Sequence, residues 1–278
     1  MPLIDTTNEE VKSFTGLHLY HFWLSSCSQR VRIVMAEKGL EWVSHEIDLE
    51  KQEHATPEYQ SIHPDGVVPA LVHDGQVIIE SIDIIDYLDT TFPEPPLRPA
   101  SDEAIAEMHQ WMQNADGAQH SIKTLTHEFL FKQHKMPPEA FNELSQKHNN
   151  EELVDFMRVW SSDEGFQKSE IESELKLQHD HFVRLDQALD GKEWLVANTF
   201  SLADIAWISN VRRLDLMHYP LDIHANLNVW YERFQAKPSY IKGIGEFEIP
   251  PALAAFNAYS LERAGQGTGV TSFSPLAA

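Results

Sequence analysis

Cysteine is nearly missing from these 278 residues: Cys27 stands alone. That excludes an intrachain disulfide framework and a zinc-knuckle cluster, and makes a cytoplasmic compartment the simpler expectation. Positive charge is scarce too. Against 43 Asp and Glu there are 21 Lys and Arg, a formal net charge of −22, which repels nucleic-acid phosphate and anionic lipid alike. No uninterrupted apolar run approaches the roughly eighteen residues that mark a membrane-spanning helix. The opening stretch MPLIDTTNEEVKSFTG has neither the basic n-region nor the apolar h-region of a secretory signal. Neither nucleic acid nor membrane is therefore expected as a partner. What is present is core material, with 42% hydrophobic residues, and a length that suits two ordinary domains.

The residues from Leu17 to Phe22 read as a short strand after a turn at Thr15 and Gly16. Cys27, Val31, Val34 and Met35 then share one helical face, and Gly39 stands where a left-handed residue ends such a helix. Trp42 to Leu49 reads as a second strand, parallel to the first, and EKQEHATPEY as a loop with a short helix. In VVPALVHDGQVIIES, two strand-forming runs flank Asp74-Gly75, a strong hairpin signal. Ser81 opens a helix carrying Ile82, Ile85 and Leu88, which Pro93, Pro95 and Pro96 bring to an end.

Beyond Ser101 the pattern is helical. Ile171, Leu175, Phe182, Leu185 and Leu189 mark one face of a long helix, and Ser201 with Asp204 approximates a capping box, stapled by Phe200 and Ile205. The polar stretch from Lys132 to Ser169 reads either as a long peripheral helix or as a disordered excursion. The fold expected is α+β: a β-α-β-α-β-β-α domain over 16–92, a linker over 93–100, an all-helical domain over 101–262 and a flexible tail over 263–278.

Three pieces offer chemistry. Ser25-Ser26-Cys27-Ser28 sits at a helix start, where free N–H groups and the positive dipole end favour an anion such as a thiolate. A serine that merely caps the helix is the plainer alternative. Val68-Pro69 marks a strand edge or turn; a cis bond there would aim the Val68 backbone at an extended ligand. Glu80 and Ser81 could hold the ammonium and carboxylate of an amino-acid head, or could be an ordinary helix cap. Cys27 is either filler or part of the site. The 15 histidines show no metal-binding spacing, and no glycine motif for phosphate occurs, so neither a metal nor a nucleotide cofactor is expected. Phe22, Trp23, Trp111, Trp160 and Trp207 could line an apolar pocket, although most such residues serve the core.

In this order and spacing the three pieces resemble the glutathione S-transferase superfamily, a thioredoxin-like domain followed by an all-helical one. FWLSSCSQRVRIVMAEKGLEW is similar to the first-helix signature of zeta-class transferases, the maleylacetoacetate isomerases; VVPALVHDGQVIIES is similar to the shared glutathione-binding segment. The stretches around the proline-rich linker and ESELKLQHDHFVRLDQAL look closer to bacterial β-etherases, with tetrachlorohydroquinone dehalogenases as another similar group. The resemblance implies glutathione as co-substrate and Ser25 as the hydroxyl donating to its sulfur. It also implies that Val68 and Pro69 serve the cysteinyl part, that Glu80 and Ser81 hold the γ-glutamyl end, and that Gln52 or His54 reaches the glycyl carboxylate. Phe22, Trp23 and Trp111 would wall the pocket of a small aromatic substrate. A homodimer, or a heterodimer with a related subunit, is implied by family likeness alone.

Overall fold

The computed structural model describes residues 3–276. Its sheet is built around β2 (Leu17–His21), a central strand whose Leu17 and Leu19 are buried. The other strands are β1 (Leu3–Ile4), β3 (Val43–Glu46), β4 (Ala70–His73) and β5 (Gln76–Ile78), in the spatial order β1-β5-β4-β2-β3. β2 runs parallel to β3, with His18 opposite Val43, and antiparallel to β4, with Leu19 opposite Leu71. The β4–β5 hairpin turns through Asp74 (φ 49°) and Gly75 (φ 79°), the left-handed pair that the strand twist requires.

Four helices complete this layer: α1 (Glu9–Lys12), α2 (Ser26–Glu37), α3 (Pro57–Gln60) and α4 (Ser81–Thr91). α2 buries Val31, Ile33, Val34 and Met35, and α4 buries Ile84, Ile85 and Leu88. The linker after α4 is pinned rather than loose. Lys38, buried, bonds the carbonyls of Phe92 and Pro95 and pairs with Asp89 at 2.7 Å, while Arg98 meets the same carboxylate at 2.5 Å.

The helical layer comprises α5 (Asp102–Gly117), α6 (Gln119–Phe129), α7 (Pro138–Lys147), α8 (Glu151–Ser161), α9 (Lys168–Ala188), α10 (Leu202–Leu216), α11 (Ala225–Gln235), α12 (Pro238–Gly243) and α13 (Pro250–Gly265). α9 buries Ile171, Leu175, Phe182 and Leu185, the stripe read from the sequence. α10 is its centre, with Leu202, Ile205, Trp207, Ile208, Val211 and Leu214 fully inside. The start of α10 is fixed by Asp204. Its buried carboxylate accepts from the N–H and hydroxyl of Ser201 (3.0 and 3.2 Å), from Leu195 N (3.1 Å) and from Trp230 Nε1 (2.9 Å). Burial nonetheless pushes this carboxyl up to about 6 against those four donors.

The sequence reading needs correction in four places. β1 pairs Leu3 with Ile78, so sheet structure begins well before residue 16. The second strand is shorter than Trp42–Leu49, with Ile47 tied only by its N–H to His21 O. The polar stretch is neither one helix nor disordered: Pro138 begins α7, and Asn150 caps α8 by accepting from Leu153 N at 2.9 Å. The segment after residue 263 is docked, with Val270 buried and the Phe273 ring edge-on to Phe129 at 5.5 Å.

Candidate active site

Ser25 is the N-cap of α2. Its Oγ accepts from Ser28 N at 3.2 Å, and its own N–H reaches Phe22 O at 3.2 Å. The hydroxyl proton has no acceptor among the described residues, so it is free to donate outward. The first-turn N–H groups of Ser26 and Cys27 have no intrahelical partner, as at any helix start. Capping and sulfur binding are therefore not alternatives at this residue: one lone pair serves the helix while the proton remains available.

Although the chain is strongly acidic, three buried arginines stand behind this tip, and one of them, Arg32, donates to the carbonyls of Phe22 and Trp23 at 3.1 and 2.9 Å. Arg213 donates to Leu24 O and, at 3.0 Å, to Thr126 Oγ1, with no carboxylate bonded to it among the described residues. Arg30 lies 3.5 Å from the half-exposed Asp116 carboxylate. Burial draws Arg213 down to about 10 and lowers Arg30, and both feel Cys27. An anion at the tip would supply the missing counter-charge.

Val68 precedes Pro69 across a cis peptide bond. It lies just outside β4, and its N–H and C=O have no partner among the described residues. Continuing the β2–β4 register two steps past Tyr20 and Ala70 sets Val68 across from Phe22. The Tyr59 hydroxyl holds the preceding carbonyl, Val67 O, at 2.6 Å.

Glu80 takes a left-handed backbone (φ 63°) at the cap of α4. It reaches solvent, yet partial desolvation, followed by Asp116, Asp65 and Asp83, holds its carboxyl above the ordinary range. Ser81 is buried, and its Oγ accepts from Arg30 Nη1 at 3.1 Å. Arg30 thus ties the α4 start to α2.

The other expected residues are placed differently. Gln52 donates to Ala140 O of α7 at 3.1 Å, and its Oε1 is buried without a partner. His54 is buried against the ring of His148 at 5.3 Å and is pulled down to about 4, first by burial and then by His148, so it carries no charge for a carboxylate at neutral pH. Both face the α7–α8 segment. There His148 Nε2–H donates to Gly66 O at 3.2 Å while its Nδ1 accepts from Asn150 N at 3.1 Å.

Trp111 is likewise set apart from the aromatic group at the tip. Its indole N–H turns to Glu107 at 3.4 Å, and its carbonyl accepts from Trp207 Nε1 at 3.1 Å. Instead Trp23 stacks on Phe256 of α13 (6.5 Å, 8°), with Phe22 at 6.0 Å, and Phe131 meets Phe256 at 5.8 Å. Phe131 and Phe256 escaped the sequence reading. Neither belongs to a motif, and only the fold joins the end of α6 and the C-terminal helix to the Trp23 loop. Trp160 and Trp207 are core residues.

A thioredoxin-like layer that offers an N-capping serine, a free backbone edge just before a cis proline and an exposed carboxylate at the start of α4, covered by a helical layer, has the frame of a glutathione transferase. Family models described as "Glutathione S-transferase, N-terminal domain" and "Glutathione S-transferase, C-terminal domain" match residues 24–91 and 169–233. The chain is 31% identical to Protein LigF of Sphingobium sp. over 80% of its own length and 91% of that protein. It belongs to the glutathione S-transferase superfamily. The crystal structure of "Beta-etherase LigF" superposes with a TM-score of 0.76 at 28% identity, covering 84% of this chain and 100% of that one. Glutathione S-transferase 1 of Dianthus caryophyllus is 51% identical, but over only 30% of this chain and 38% of that protein. Glutathione S-transferase TCHQD of Arabidopsis thaliana is 24% identical over 83% of this chain.

Proposed function

We propose that the chain activates glutathione for attack on a hydrophobic aromatic substrate, and that the substrate is a β-aryl ether of the lignin type. The observation that carries the reading is Ser25: it caps α2 through its oxygen while its proton remains uncommitted. That proton donates to the glutathione sulfur, and the unpaired first-turn amides with the arginines behind them favour the thiolate. Val68 pairs the cysteinyl backbone beside Pro69, while Glu80 and the α4 start hold the γ-glutamyl head. Trp23, Phe131 and Phe256 receive the aryl ring. The thiolate attacks the carbon next to a ketone; a C–S bond forms, the C–O bond breaks, and the phenolate leaves with the electron pair. The protein requires glutathione as co-substrate and works as a homodimer or heterodimer in the cytoplasm.

Similarity to LigF through nearly its whole length supports the substrate, since the helical layer carries Phe131 and Phe256. Partial matches to proteins named as a zeta-class glutathione S-transferase and as maleylacetoacetate isomerases favour a second reading, maleylacetoacetate isomerisation on the same glutathione site. The test is turnover of single enantiomers of a β-aryl ether ketone, a chlorinated hydroquinone and maleylacetone, each with glutathione. Release of phenol from one ether enantiomer is expected. Isomerisation of maleylacetone alone would replace the substrate assignment, and retention on immobilised glutathione without any turnover would leave a binding subunit.

A further inference from the structure

Helix α6 keeps most of its length inside the molecule: from residue 121 to residue 130, only Lys123 and His127 are not buried. Both lie on the helical face that begins at Gln119, since residues four apart follow one another about 6 Å along a helix. Gln119 marks the sulfur end of that face, because its Oε1 accepts from Ser26 Oγ at 2.8 Å. At the other end the Phe131 ring stands edge-on to His127 at 5.4 Å and meets Phe256, the partner of Trp23, at 5.8 Å. Lys123 therefore stands along α6 between the place of the attacking sulfur and the wall that receives the aryl ring.

Its charge is uncommitted. The ammonium makes no hydrogen bond or ion pair among the described residues, and sits over the ring of Phe156 in α8 at 4.2 Å. The exposed Glu152 of α8 acts on it only through space. Burial lowers the ammonium from the ordinary lysine value against that pull, which brings its proton affinity nearer to that of a phenol. His127 does not compete with it. Its Nδ1–H donates to Lys123 O at 2.8 Å, its ring is edge-on to Phe156 and Trp160 at 4.9 and 4.8 Å, and burial pulls it down to about 4, so it is neutral at neutral pH. A cation drawn out of water among aromatic rings without a counter-ion favours the arrival of negative charge. In the ether cleavage described above, that charge appears on the oxygen of the departing phenolate.

We propose that Lys123 is a further catalytic residue, whose ammonium donates to the ether oxygen while the C–O bond breaks and then protonates the departing phenolate. The sulfur's electron pair forms the C–S bond, the C–O pair passes to oxygen, and one proton moves from Lys123 Nζ to that oxygen. The amine regains a proton from solvent, equal to the one released when the glutathione thiol ionised. The proposal rests on the β-aryl ether reading above and adds the group that meets the leaving oxygen.

The experiment is steady-state kinetics of the full chain at saturating glutathione, for the wild type, Lys123→Met and Lys123→Arg. Two substrates share one carbon skeleton: a series of β-aryl ether ketones whose leaving phenols differ in acidity, and the corresponding chloroketone, whose chloride needs no proton. Lys123→Met should slow ether cleavage roughly a hundredfold, most for the least acidic phenols, while Lys123→Arg retains the hydrogen bond and recovers part of the rate. Chloroketone turnover and glutathione affinity should change less than about twofold in both variants. Unchanged ether cleavage in Lys123→Met, or an equal loss with ether and chloroketone, would overturn the proposal. Should Lys123→Met not fold, the wild type decides alone: its rate should depend on phenol acidity less steeply than the uncatalysed reaction with glutathione, and an equally steep dependence overturns the proposal. A wild type that turns over the chloroketone but no ether removes the substrate assignment itself, and the role of Lys123 with it, a result distinct from the loss of Lys123's effect alone.

Discussion

Removing the Ser25 hydroxyl should damage sulfur activation far more than it damages the fold. In Ser25→Ala, α2 loses the bond from Ser28 N to Ser25 Oγ, now 3.2 Å long. Loss of an N-cap costs about 1 kcal/mol, which in a chain of this size lowers the thermal midpoint by only a few degrees. The hydrogen bond that the same hydroxyl would donate to a thiolate is of the charged kind, worth about 1.5–3 kcal/mol. At about 1.4 kcal/mol per pKa unit, the bound thiol should titrate roughly one to two units higher. Near neutral pH that leaves about ten- to a hundredfold less thiolate, with turnover falling in proportion. The assay is ultraviolet titration of glutathione bound to the wild type and to Ser25→Ala, with ether cleavage measured on the same preparations. An unchanged titration midpoint with full turnover in Ser25→Ala would refute the reasoning, most plainly if Cys27→Ala abolished turnover instead.

Asp204→Ala would leave buried donors of Leu195 and Trp230 without an acceptor, at about 1–3 kcal/mol each. Urea unfolding should show a loss of several kcal/mol, a large part of the total stability of a typical domain; a loss too small to measure contradicts the assigned anchoring role. Phe256→Ala removes the ring stacked on Trp23 and should raise KM for the aryl substrate roughly three- to tenfold while leaving glutathione affinity as it was, which steady-state kinetics with each substrate varied in turn will check. For Glu80, only the ionised carboxylate attracts an ammonium. Because desolvation, then Asp116, Asp65 and Asp83, raise its pKa, glutathione affinity should be full above that raised value and decline as the pH falls through it. Calorimetry across the acidic range should find the decline in the wild type and a flatter, weaker profile in Glu80→Gln.

Local chemistry explains which parts could be read in advance. Asp74-Gly75, the Ser201/Asp204 start of α10 and the α9 stripe each specify their own geometry within a few residues, and all are present. Ser25 at the cap of α2 follows the same logic. β1, by contrast, is two residues long and exists because β5 offers it an edge, a partner more than seventy residues away. The packing of Gln52 and His54 was hidden for a related reason. Their sequence neighbourhood says nothing of the α7–α8 segment, which folds back to bond Gln52, Gly66 and Gln60. The aromatic wall depends on Trp23, Phe131 and Phe256, which stand far apart in sequence, and only the tertiary fold brings these rings together.

The central claim is that glutathione lies with its sulfur at the start of α2, and a crystal structure of the chain with glutathione bound tests it most directly. The account predicts the sulfur within hydrogen-bonding distance of Ser25 Oγ, the cysteinyl backbone paired with Val68, and the γ-glutamyl ammonium at Glu80. A sulfur joined to Cys27, or a tripeptide bound away from Ser25 and Val68, would contradict it.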